Sequence, residues 1–197
     1  VFVERKNGKP IVILCRNLIL ATGGPAGIYS LSVYPLSQYG ATGVALECGA
    51  MGKNLTEWQY GLASLKPRWN VSGSYMQVLP RFVSIDEDGN ECDFLSEYVY
   101  TRPEMLSRVF LKGYQWPFDV RKLENGSSIV DILCLLESEK GRKVYLDFMH
   151  NPDFAPIPWS ELSDDARSYL EASGATSDTP IERLKKLNYP VSGFYVV

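Results

Sequence analysis

Polar and apolar residues alternate in short runs over the first part of the chain and then recur at helical spacing, so strands are expected before helices. The opening stretch VFVERKNGKPIVILCRNLILATGG predicts a hairpin turning at Asn7-Gly8, because both residues tolerate the positive φ of a tight hairpin. A strand is expected over residues 11–21, a nearly continuous apolar run that stops at Gly23-Gly24. YGATGVALECGAMG then predicts a short helix closing near Gly49 and Gly52. From Glu57 to Leu95 the texture turns aromatic and β-rich, with a hairpin turning at Asp88-Gly89-Asn90. Pro80 places that strand at an edge or a bulge.

Helices are expected over residues 103–114, 128–139, 160–172 and 180–187. Thr179 caps the last of these, with Pro180 at its first position and Glu182 three residues after the cap, the spacing of a capping box. Between them, GRKVYLDFMHNP reads as a strand ending at His150. The fold class is α+β. A break near Glu57 divides a smaller piece, residues 1–57, from a larger one, residues 58–197.

Composition narrows the function classes. Of 197 residues, 45% are apolar and 22% charged, the balance of an ordinary globular protein. The net charge of −3 and the lack of a basic stripe exclude nucleic acid as an expected partner. The densest basic cluster, Arg183-Leu184-Lys185-Lys186, reads as a solvated helix face. With four scattered cysteines and one histidine, a metal site is not expected. The cysteines read as small buried hydrophobes in a reducing, cytoplasmic setting. No apolar run is long enough to span a bilayer. Both ends are strand-like, which reads as an internal segment of a longer protein.

The glycine stretch is the first candidate for chemistry. Gly23, Gly24 and Gly27 do not have the Gly-x-Gly-x-x-Gly spacing of a pyrophosphate loop, so by spacing alone a plain turn competes with a ligand surface. Arg102 and Arg108 in TRPEMLSR are either two surface arginines on one helix or a source of positive charge at a site. Arg68 and Arg81 are either surface cations or binders of an anionic substrate. Trp58, Tyr60, Trp69 and Tyr75 form either an aromatic core or a pocket wall. His150 reads as a structural histidine, and Asp86-Glu87-Asp88 as a turn.

The order of three pieces adds to this. LILATGGPAGIYS, then GATGVALECGAMGKNLTEWQYG, then an aromatic β segment, with KVYLDFMH later, resembles the fumarate reductase and succinate dehydrogenase flavoprotein superfamily, which includes L-aspartate oxidase. The resemblance covers most of residues 1–152. It implies an FAD-dependent oxidoreductase in which hydride passes between a small-molecule substrate and the flavin. It also implies that Ala21, Thr22, Gly23 and Gly24 lie along the FAD, that Gln59 and Tyr60 contact substrate, and that Arg102 handles a proton; Arg81, which flanks the aromatic segment, is the further substrate-binding candidate from its position alone. Residues 1–57 would then be a strip of the FAD-binding domain, whose remainder is the implied partner, and residues 58–197 the capping domain.

Three departures bear on the substrate. Tyr39-Gly40-Ala41-Thr42-Gly43 lacks the family's acid, and Gln59-Tyr60 is followed by Gly61-Leu62-Ala63 in place of His-Pro-Thr-Gly. Val78-Leu79-Pro80 stands where a Thr-Glu pair grips a dicarboxylate. Gripping a dicarboxylate takes convergent donors, so fumarate and succinate are not the expected substrates.

Overall fold

The computed structural model describes residues 2–3, 6–24, 32, 41–55, 61–99, 101–115, 117–190 and 193–197. The chain divides into two units, Val1–Ser30 with Tyr34–Lys53 and Leu31–Val33 with Asn54–Val197. Gln59 and Tyr60, along with Trp58 and the end of the glycine stretch from Pro25 to Ser30, lie outside the described residues.

In the smaller unit, β1 (Phe2–Val3) pairs antiparallel with β2 (Pro10–Ile11). The reversal takes place at Asn7-Gly8, where Gly8 has φ 69° and the Asn7 side chain accepts from the Lys9 N–H at 3.0 Å. The expected strand over residues 11–21 does not form beyond Ile11. A strand needs a neighbour for its N–H and C=O groups, and none pairs with Val12 to Ala21 among the described residues. A short helix, α1 (Thr42–Glu47), ends at Gly49, whose φ of 88° lets the Gly49 and Ala50 N–H groups bond back to Leu46 and Ala45. No described residue of this unit is buried. Leu14, Leu18 and Ile19 are among its most exposed side chains.

The larger unit is built on a four-stranded antiparallel sheet in the order β6 (Glu91–Cys92), β5 (Arg81–Ile85), β7 (Lys143–Asp147), β8 (Phe194–Val196). Pro80 sits just ahead of β5, which is a central strand rather than an edge, because the missing N–H falls outside the ladder. A hairpin of β3 (Ala63–Leu65) and β4 (Arg68–Asn70) precedes the sheet, and the short α2 (Ser74–Gln77) and α3 (Phe94–Tyr98) flank β5 in sequence. Four longer helices follow: α4 (Arg102–Leu111), α5 (Ser128–Glu139), α6 (Asp164–Ala172) and α7 (Pro180–Lys186).

The core joins sheet and helices. Phe82 faces Leu146 across β5 and β7 and packs edge-on against Phe94, with ring centroids 6.5 Å apart. Phe110 from α4, Leu133 from α5, Leu170 from α6 and Leu184 from α7 complete the cluster. Each such burial contributes about 1.5–3 kcal/mol. Tyr75 belongs to this core, touching Phe148, Tyr189 and Tyr195, with its hydroxyl donating to Pro190 O at 3.0 Å, while Trp69 beside it stays half exposed. Cys134 is buried as expected, but Cys15 and Cys48 are exposed because their unit buries nothing around them.

Helix starts follow their caps. Thr101 accepts from the Glu104 N–H and Pro103 occupies the first turn of α4. On α7 the Glu182 carboxylate accepts from the Thr179 N–H at 3.4 Å. The helix expected from Ser160 begins instead at Asp164, because Ser163 caps it at Ala166 and Trp159–Glu161 forms a separate single turn.

One acid fastens α5 to the sheet. The buried Glu137 carboxylate accepts from Ser84 Oγ at 2.6 Å, Lys140 Nζ at 2.6 Å and Arg142 Nη1 at 2.9 Å. Burial alone would push this carboxyl up, but the hydrogen bonds from Lys140, Ser84 and Arg142 outweigh it and hold it at about 2, below the ordinary 4.5. The folded pKa lies below the unfolded one, so the contribution is present above about 4.5 and lost as pH falls towards about 2. Glu137→Gln is therefore expected to lower the thermal midpoint at neutral pH and to flatten its decline across that acid window. Parallel midpoint-versus-pH curves for the two proteins would refute this.

Candidate functional site

Two of the four arginines singled out by sequence, Arg81 and Arg102, meet the same short segment from different elements. Arg81 opens β5 and faces Asp147 at the end of β7. Its Nη1 donates to Glu91 at 2.9 Å and its Nη2 also contacts that carboxylate. Its Nε lies 3.5 Å from Asp147 Oδ2, and the Phe154 ring covers the guanidinium at 4.2 Å. Only 3% of Arg81 is exposed, so this cation is spent inside the protein and offers no free edge to an anionic substrate.

Asp147 explains why β7 stops there and not at His150. Its Oδ1 accepts from the Met149 N–H at 2.8 Å and the His150 N–H at 3.3 Å, which takes the backbone out of the ladder. Its Oδ2 lies 2.9 Å from His150 Nδ1. The pair is a local brace with a half-exposed imidazole, in keeping with a structural histidine.

The turn after His150 links the two arginines. Asp153 and Phe154 both take left-handed backbone, φ 58° and 56°, which costs energy for any residue other than glycine. This geometry puts Phe154 over Arg81 and Asp153 Oδ2 at 3.4 Å from Arg102 Nε. Arg102 Nε is also 3.3 Å from Glu161 Oε2, and its Nη2 donates to Pro156 O at 3.3 Å. Unlike Arg81, its side chain keeps 23% of its surface in solvent. Burial pushes the nearby Asp93 carboxyl up, and Asp153 adds to that while Arg81 opposes it. The neighbourhood is thus rich in carboxylates, with one partly open guanidinium. It can place positive charge against a developing anion, but it is a poor cage for a dicarboxylate.

Arg108 turns away from this group and donates to the Gly126 carbonyl at 3.1 Å. Arg68 is exposed and donates to the Ser32 carbonyl. The partners Glu91, Asp147, Asp153 and Glu161 were not singled out by sequence reasoning. The signal for one of them was present in Leu146-Asp147-Phe148-Met149-His150, where an aspartate at a strand end precedes two N–H groups it can accept from.

The glycine stretch lies in the other unit. Ala21, Thr22, Gly23 and Gly24 are all exposed. Gly23 has φ 86°, a conformation that opposes a side chain. A Cβ on Gly24 would meet nothing within 4 Å. Among the described residues, no group of His, Cys, Asp and Glu could hold a metal ion, and no helix is long and apolar enough to cross a membrane.

In comparisons with protein-family models, curated proteins and solved structures, nothing matches the chain.

Proposed function

We propose that this chain supplies the capping unit and one strip of the cofactor domain of an FAD-dependent oxidoreductase acting on a small organic substrate other than fumarate or succinate. The observation that carries this reading is the end of the first apolar run. Gly23 excludes a side chain by its backbone and Gly24 leaves open space where one would be. The exposed apolar residues from Val12 to Leu20 add support, because such a run is stable only when covered by further sheet or helix. The ordered likeness of LATGG, EWQYG and LDFMH to the flavoprotein superfamily supplies the cofactor's identity.

In this reading the backbone of Ala21, Thr22, Gly23 and Gly24 lies along the cofactor. Bound FAD supplies the two-electron redox chemistry. Arg102 stabilises negative charge at the substrate or hands it a proton. Gln59 and Tyr60 contact substrate. Arg81, locked by Glu91 and Asp147, positions the Asp147–His150 turn and through Phe154 the segment that carries Asp153 to Arg102.

Gly24→Val tests the cofactor contact directly. The substituted chain has room for the side chain and no left-handed φ to oppose it, so its fold is expected to be unchanged. In the protein that carries this segment, the variant is expected to purify with at least about tenfold less flavin per chain, a loss of about 1.4 kcal/mol in binding. Unchanged visible flavin absorbance in the variant, or none in the parent protein, would overturn the reading.

A second reading is favoured by one observation: both arginines are already occupied by carboxylates of the chain. A flavoprotein-derived module that binds partners without catalysis would keep such internal ion pairs. It predicts that no metabolite reduces the bound flavin.

A further inference from the structure

Arg183 departs from the solvated face expected for its cluster. Lys185 and Lys186 are exposed, but Arg183 is only 4% exposed and points into the protein from α7. It forms no ion pair with a carboxylate among the described residues. Instead four of its donors go to neutral oxygens: Nε to Ser177 O at 2.9 Å, Nη1 to Val78 O at 2.5 Å, and Nη2 to Asn151 Oδ1 at 2.6 Å and Asp178 O at 2.9 Å. A guanidinium has five N–H groups, which leaves one on Nη1 without an acceptor among the described residues. A buried cation without a contact countercharge is costly. Burial pulls its pKa down to about 10, against the more distant attraction of Asp178 and Glu182.

Arg183 also lines a cavity of about 40 Å³, with Ser177 and Asp178 as its other polar lining beside Thr176. Leu79, Trp159 and Leu170 form its apolar wall, and the exposed Thr176 stands at its rim. The wall is held in an unusual way. Leu79 is buried with φ 59°, left-handed backbone that follows directly from the carbonyl bonded to Arg183. Strain of this kind persists only where its surroundings enforce it. The space holds on the order of two waters, or the head and first carbons of a short acid.

We propose that this pocket binds a short-chain monocarboxylate, with its carboxylate on Arg183 and its alkyl end against Leu79, Trp159 and Leu170. One available N–H beside an apolar wall suits a single-headed amphiphile. A phosphate or dicarboxylate would need several convergent donors, and these are already committed to carbonyls. The site is separate from the flavin reading and stands or falls without it.

The test titrates propionate into the chain, following tryptophan fluorescence and the thermal midpoint, with chloride at equal ionic strength as the comparison. Saturable changes with propionate and none with chloride are expected, together with a midpoint that rises with ligand concentration. Arg183→Gln should weaken binding at least about tenfold, equivalent to about 1.4 kcal/mol. Thr176→Phe closes the rim from an exposed position and leaves Arg183 with its carbonyl partners, so it decides the matter even if Arg183→Gln does not fold. Trp159→Phe should abolish the fluorescence change while keeping the midpoint shift. No saturation, an equal response to chloride, or full binding by folded Thr176→Phe would overturn the proposal.

Discussion

On the proposed flavoprotein reading, Arg102→Ala is expected to leave flavin binding intact and to slow substrate-dependent flavin reduction by about 10²–10⁴-fold, the usual yield of one proton-handling group. Arg102 sits at the first residue of α4, where Thr101 caps the helix and fixes the direction in which the side chain leaves. Asp153 and Glu161 flank its Nε at 3.4 and 3.3 Å, and the Pro156 carbonyl holds its Nη2. Two carboxylates flank the guanidinium and set its plane, and the exposed part of the side chain remains free to face a substrate. A charged arginine is a poor base but a good stabiliser of an anionic centre. Because these ion pairs are partly solvated, their loss should cost no more than about 1 kcal/mol of stability. A large rate effect with a nearly unchanged thermal midpoint would thus separate chemistry from structure. Arg102→Lys should recover only part of the rate, since it keeps the charge and loses the fork. An unchanged rate in Arg102→Ala would favour the non-catalytic reading.

Local chemistry made several elements legible in advance. Asn7-Gly8 turns the first hairpin, the Asp86 side chain accepts from the Asp88 and Asn90 N–H groups at 3.0 and 2.8 Å in the turn between β5 and β6, and α5 runs over the expected residues 128–139. Each of these depends on neighbours a few residues away. The expected strand over residues 11–21 failed because a strand depends on a partner, which no local pattern supplies. Ser163 displaced the expected start of α6 because two serines three residues apart both offer a cap, and only the tertiary position of Trp159–Glu161 decides between them.

The candidate site divides in the same way. Arg81 and Arg102 stood out by type, but their roles come from Asp147 across the sheet and from Asp153 and Glu161 far along the chain. Arg183 was misread for a related reason. Helical spacing placed it beside Lys185 and Lys186, but Val78 and Asn151, remote in sequence, provide the oxygens that allow it inside.

The largest expected loss of stability comes from Lys112→Met, at about 3–5 kcal/mol at neutral pH, the range for breaking one side of a buried ion pair. For a chain of this length that is on the order of 10 °C in thermal midpoint. Lys112 is 1% exposed at the end of α4, where its Nζ contacts Asp131 on α5 and lies 3.4 Å from Gln115 O. Burial pushes the Asp131 carboxyl up to about 6 in spite of Lys112, and burial pulls the Lys112 ammonium down in spite of Asp131. Both shifts oppose charge, so desolvation outweighs the attraction between the partners. Asp131 Oδ1 has no hydrogen-bond partner among the described residues, which adds to the cost. The pH sign is opposite to that of Glu137. The folded pKa of Asp131 lies above its unfolded 3.8, so its burden is full above about 6 and is relieved as pH falls towards 3.8. Removing Lys112 alone leaves a carboxylate with no cation, and its penalty should shrink on acidification as that carboxylate protonates. Removing both, as Lys112→Met with Asp131→Leu, is expected to restore the parent stability or exceed it by about 1–4 kcal/mol. Denaturant titrations of the parent, both single variants and the double variant close the cycle. A neutral Lys112→Met, or a double variant as unstable as that single one, would show that the pair is not the buried charge cluster its geometry describes.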